Sequence, residues 1–137
     1  MDSKHHLGRL QHAIMRVLWD EGEATVARVH EVLKASGEAR ALTTVATMLT
    51  KMEKKGVVDH DLEGRQYVYR ATVEETDVHR SMVADLTAQL FDGDVTALVS
   101  HLLTEQDIDA EELARLRSMI SSATRRSDQR DEGGPRD

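Results

Sequence analysis

Six stretches of this chain repeat apolar residues at the helical interval, and the pattern turns strand-like in one place, between Val57 and Arg70. The sole proline is Pro135, so none of the helical stretches is broken from within. The chain is therefore expected to be mainly α with a small β-hairpin.

The first half sets the order of elements. Arg9 to Asp20 carries Leu10, Ile14, Val17 and Leu18 on one face; Thr25 to Ala35 carries Val26, Val29, Val32 and Leu33. A third helix, Leu42 to Lys55, turns Leu42, Val45, Met48, Leu49 and Met52 toward a core. Gly56 ends it, and Val57–Leu62 and Gln66–Arg70 flank Glu63-Gly64-Arg65 as a hairpin with a basic tip. Three short helices followed by a hairpin read as a winged helix-turn-helix, in which the third helix enters the DNA groove and the hairpin reaches the flanking backbone.

The far side of the third helix points the same way. It presents Thr43, Thr44, Thr47, Thr50, Lys51 and Lys54. Threonine is a mediocre helix former, because its branched side chain loses rotamer freedom, so helix stability does not account for four of them. Their hydroxyls suit phosphates and base edges, and their methyls suit the methyl of thymine; Arg65 suits the backbone. A merely solvated polar face is the plain alternative.

Charge is divided unevenly along the 137 residues. The formal net charge of −7 resides in residues 72–123, which hold 3 basic against 11 acidic side chains, whereas residues 1–71 hold 11 against 10. An acidic segment facing away from the duplex is compatible with binding, because phosphate contact depends on local charge; ordinary solubilising charge fits equally well. The absence of cysteine excludes disulfides and thiolate metal sites. With no long apolar run, signal peptide or lipidation motif, a cytoplasmic chain without a membrane partner is expected.

The acidic segment is helical too. Glu74 to Leu90 carries Val78, Met82, Val83, Leu86 and Leu90; Asp94 to Leu103 carries Val95, Leu98, Val99, Leu102 and Leu103; Asp109 to about Ser122 carries Leu113, Leu116 and Ile120. Asp109 and Glu112 have the spacing of an N-terminal cap. These helices hold too few large side chains for a core of their own, so burial against a second copy is expected. The resulting division is a winged-helix domain over 1–72, a helical dimerisation element over 73–122, and a disordered tail over 123–137, whose residues are rich in Arg, Ser, Asp and Gly.

Taken in order, Leu7 to Trp19, Val26 to Leu33, Thr43-Thr44-Val45, Leu49, Lys55-Gly56, Tyr67 to Arg70 and Leu90 to Asp94 resemble the BlaI/MecI family of penicillinase repressors over roughly residues 7–121. The resemblance implies a homodimeric winged-helix repressor on a palindromic operator. Its recognition helix would carry Thr43, Thr44, Thr47 and Thr50, with Arg65 in the wing and a C-terminal three-helix element holding the dimer. Induction in staphylococcal members implies cleavage by a signal-activated protease in the second C-terminal helix. The asparagine-phenylalanine bond cut there is replaced here by His101-Leu102. The copper-responsive branch uses cysteine pairs, which this chain lacks.

Other motifs read as structural. None of the seven histidines, His5, His6, His12, His30, His60, His79 and His101, pairs with another at the i, i+4 spacing of a metal site on one helix face, so no metal or other cofactor is expected. Asp107 to Glu111 lacks the glycine and length of a calcium loop. Trp19 is expected to pack at the junction of helix and wing. Without a nucleophile motif, phosphate-cradling loop or paired acids, an enzyme is not expected. The rival readings are a protein-interaction module with a winged-helix scaffold, and a regulator responding to a ligand at a dimer interface.

Overall fold

The computed structural model describes residues 7–132. Helices α1 (Arg9–Glu21), α2 (Val26–Ala35) and α3 (Leu42–Lys55) are followed by a hairpin and then by α4 (Glu75–Phe91), α5 (Val95–Glu105) and α6 (Ala110–Glu132). A two-residue strand, β1 (Ala24–Thr25), pairs antiparallel with β3 (Gln66–Ala71), and β3 pairs antiparallel with β2 (Val58–Glu63). The sheet order is therefore β1-β3-β2.

The core follows from the helical periodicity. α1 buries Ile14, Met15, Val17 and Leu18, α2 buries Val29 and Leu33, and α3 buries Val45, Leu49 and Met52. Val57, Val58, Val68 and Tyr69 close it from the sheet side. Each fully buried Leu or Val contributes about 1.5–3 kcal/mol relative to exposure. Leu42, assigned to the core by spacing, lies 49% exposed. It is the first residue of α3, ahead of the turn that meets α1 and α2.

Local chemistry fixes the ends of α3 and the hairpin. Gly56 adopts φ +93, and the amides of Gly56 and Val57 donate to Met52 O, so the helix ends in a left-handed cap. The cap delivers Val57 into the core and starts β2 at Val58. At the other end of β2, Glu63 pairs with Gln66 across a two-residue turn whose first residue, Gly64, has φ +64. Thr72 then ties the hairpin back to the helix cap: its Oγ1 donates to Gly56 O at 2.7 Å and its amide to Val57 O at 2.9 Å.

The chain divides into two compact units at Gly93/Asp94, twenty-one residues beyond the sequence-based boundary at 72/73. α4 lies in the first unit because Val78 is fully buried in its core and His79 meets α1. In the second unit, α5 and α6 contain no buried residue among those described. Asp94 and Asp109 accept hydrogen bonds from the amides of Ala97 (3.1 Å) and Glu112 (2.8 Å), the latter the expected cap.

The tail needs a correction. α6 continues through Glu132, so the expectation of disorder from residue 123 onward does not hold for residues 123–132, and residues 133–137 lie outside those described. Neither glycine nor proline interrupts Ala110 to Glu132, whereas Gly133-Gly134-Pro135 follows at once. Polar composition suggested disorder, but without a breaker the helix propagates.

Candidate nucleic-acid interface

α3 has two faces because its core residues recur every three or four positions. With Val45, Leu49 and Met52 held inside, Thr43, Thr44, Thr47, Thr50, Lys51 and Lys54 are all exposed. Among the described residues, the hydroxyls of Thr43, Thr44 and Thr47 have no hydrogen-bond partner and Lys51 and Lys54 no ion-pair partner. The helix offers these donors outward without internal competition.

Thr50 differs from the other three. Its Oγ1 donates to Ala46 O at 3.1 Å, and it lines the groove beside Tyr69. The spacing that grouped the four threonines carried no sign of this, since Tyr69 arrives from the hairpin. Burial, and next the charge of Glu53, push the Tyr69 hydroxyl above its ordinary pKa.

The hairpin also has two faces. On one, Arg70 spans Asp59 (2.9 Å) and Asp61, and the hydrogen bonds it donates to Asp61 and then Asp59 raise its pKa. On the other, His60 lies 4.6 Å from the ring of Tyr67 and 5.2 Å from that of Tyr69. His60 Nδ1 also meets Glu53 Oε1 of α3 at 2.5 Å. A groove of about 320 Å³ runs between helix and hairpin here, lined by Thr50, Glu53, Lys54, His60, Tyr67 and Tyr69. Arg65 is exposed in the turn beyond it. His60, Tyr67 and Glu53 were not assigned to DNA binding from the sequence; alternation along β2 and β3 was the only signal for the first two, and the helical spacing of α3 carried none for Glu53.

A second cluster was also missed. His12 of α1 and His79 of α4 approach with Nε2 atoms 2.8 Å apart, and the Trp19 ring packs edge-on against both. Trp19 Nε1 donates to Val73 O at 3.0 Å, placing tryptophan at the joint of α1 and α4. Tetrahedral coordination by two imidazoles at metal distances of about 2.0–2.1 Å would hold the nitrogens farther apart than this, so the contact has the geometry of a shared proton. Among the described residues no three His, Cys, Asp or Glu side chains converge as a metal site.

The leucines expected at a dimer seam are open. Leu86, Leu90, Leu102, Leu113, Leu116 and Ile120 are between 36% and 66% exposed, and Leu98 is half-buried. The His101-Leu102 bond lies inside α5, with both side chains exposed.

The profile of the penicillinase repressor family matches residues 7–122. The chain belongs to that family. Family membership makes the repressor a DNA-binding regulator of transcription and not an enzyme. The repressor is similar to the transcriptional regulator BlaI of Mycobacterium tuberculosis, at 32% identity over 117 residues covering 84% of this chain and 83% of that protein. It is also similar to the methicillin resistance regulatory protein MecI of Staphylococcus aureus, at 21% identity, covering 88% of this chain and 98% of that one. In fold it is similar to RosR of H. salinarum, with a TM-score of 0.50 and 18% identity over 89% of this chain and 97% of that chain. Among the repressor's described residues, no helix is long and apolar enough to cross a membrane.

Proposed function

We propose that this repressor binds a palindromic operator in the cytoplasm as a homodimer. Thr43, Thr44 and Thr47 read base edges, and Lys51, Lys54 and Arg65 neutralise phosphates; Thr50 supports the face from the groove. The observation that carries this reading is the set of three threonine hydroxyls and two lysines on the solvent side of α3 that have no partner among the described residues. Base contacts confer sequence preference, whereas phosphate contacts set register and salt dependence.

The exposed leucines support the homodimer. A helical unit without a buried side chain among its described residues gains its stability from burial elsewhere, and a second copy supplies the same apolar faces in return. Two linked DNA-binding units then hold two half-sites, because the second contact becomes intramolecular. Cutting α5 at His101-Leu102 by a signal-activated protease would separate the halves without touching α3.

The test is selection of duplexes from a random pool by the intact protein, followed by titration over a salt range. An inverted repeat bound by two copies, with affinity falling steeply as salt rises, is the expected result. Salt-insensitive binding, or selection of no sequence, overturns the proposal.

A further inference from the structure

α3 contains one acid, Glu53, and it lies on the groove side beside Lys54. A free carboxylate there would repel the same phosphates that Lys51 and Lys54 attract. It is not free: His60 Nδ1 meets Glu53 Oε1 at 2.5 Å, reaching across from β2. The imidazole is held in turn by Tyr67 and Tyr69, whose rings stand 4.6 and 5.2 Å away. His60 pairs with Tyr69 in the register, and Leu62 with Tyr67, so strand alternation puts all four on one hairpin face. The outer two of that set, Leu62 and Tyr67, are 63% and 52% exposed. The acids on the opposite hairpin face, Asp59 and Asp61, are engaged by Arg70.

We propose that His60 is a positioning residue for DNA binding, tying down Glu53 so that Lys54 and Tyr67 meet a sugar-phosphate strand at the mouth of the groove. The inference rests on the DNA-binding reading above. Its occupant is the DNA backbone, for two reasons. The groove mouth carries Lys54, a cation with no ion-pair partner among the described residues, which complements phosphate. The exposed Tyr67 ring and Leu62 offer apolar area to deoxyribose, with a phenolic hydroxyl able to donate to a phosphate oxygen. Releasing Glu53 places a like charge against the strand, and like-charge juxtaposition is costly at an interface.

The experiment is a double-mutant cycle on the full chain, read by fluorescence anisotropy with a duplex from the random-pool selection. Thermal melting checks that each variant folds. His60→Phe, which keeps a ring between the tyrosines, is expected to weaken binding about tenfold through the freed carboxylate. Adding Glu53→Gln to that variant is expected to restore affinity to within about twofold, a rescue that a purely structural role for His60 would not show. Tyr67→Ala alone is expected to weaken binding about fivefold, the scale of a lost charge-free backbone contact.

Additive effects of His60→Phe and Glu53→Gln, without rescue, overturn the inference. Should His60→Phe fail to fold, Glu53→Gln and Tyr67→Ala decide: Glu53→Gln leaves affinity unchanged or raises it and Tyr67→Ala lowers it, whereas a loss in the first or no change in the second overturns the proposal. Lys51→Ala and Arg65→Ala serve as the reference. If both bind as tightly as the original chain, the DNA-binding face itself is misassigned; if both weaken while the cycle shows no coupling, the inference alone fails.

Discussion

The Nε2 atoms of His12 and His79 stand 2.8 Å apart, although 67 positions separate them in the chain. One proton fits between them, and a second makes the pair repel. Burial, then the charges of His79 and Arg16, hold the His12 pKa below its ordinary 6.5, with Glu75 opposing weakly. Because the folded state binds the proton less readily than the unfolded chain, the associated stability is present above about pH 6.5 and is lost as pH falls from there through the lowered folded value. The melting temperature should therefore drop on acidification from pH 7 to 5, and His12→Phe should flatten that part of the curve. Trp19, the only tryptophan, touches both rings and reports the transition by its fluorescence. An unchanged slope in the variant counts against the pair as the source.

Thr47→Ala and Arg65→Ala should weaken operator binding in different ways. Loss of a base contact shifts sequence preference by about 1–3 kcal/mol of discrimination. Loss of Arg65 weakens all sequences alike and reduces the salt slope by about one. Titrations against a panel of single-base operator variants separate the two patterns, and identical preferences in all three proteins would remove Thr47 from the recognition set.

Thr50→Val should cost less operator affinity than Thr47→Val. The Thr50 hydroxyl already donates to Ala46 O, whereas that of Thr47 has no partner among the described residues. Competition binding against the original chain is sufficient to rank them.

Leu49→Ala should destabilise the fold by about 2–5 kcal/mol, since the side chain is fully buried where α3 meets the core and its removal leaves a cavity. Chemical denaturation measures the loss. DNA affinity of the folded fraction should stay unchanged, because Leu49 faces inward.

Leu98→Asp with Leu116→Asp should produce a monomer in sedimentation, an unpaired carboxylate having no compensation in an apolar seam. A protease site engineered at Leu102 extends the test. If the cut protein stays dimeric and holds a full operator as tightly as before, release by splitting the dimer is not this repressor's mechanism.

Local patterns made the fold readable wherever one element's own periodicity determined the outcome. Ile14 and Leu18, Val29 and Leu33, and Leu49 and Met52 recur at spacings that admit one inward face, and Gly56 and Gly64 stand where the backbone needs positive φ. What escaped involves partners distant in sequence. β1 is two residues long, too short for alternation to register, and exists because β3 offers Tyr69 and Val68 as partners. The His60–Glu53 contact joins a strand to a helix, and His12 meets His79 only once α4 has packed. In α6 the arginines and serines after Ala123 masked a helix that nothing in the chain interrupts before Gly133.

The second unit, with no buried residue in α5 or α6 among those described, has a further property. A structure whose apolar faces are satisfied by association obeys mass action, so under the proposed dimerisation dilution would act on this half as heat acts on a self-sufficient core. In the homodimer proposed above, the amount of chain present would then set how much of the second unit is folded. Newly made copies of such a dimer would expose it to degradation until they met a partner, so that survival of the molecule would depend on its own abundance.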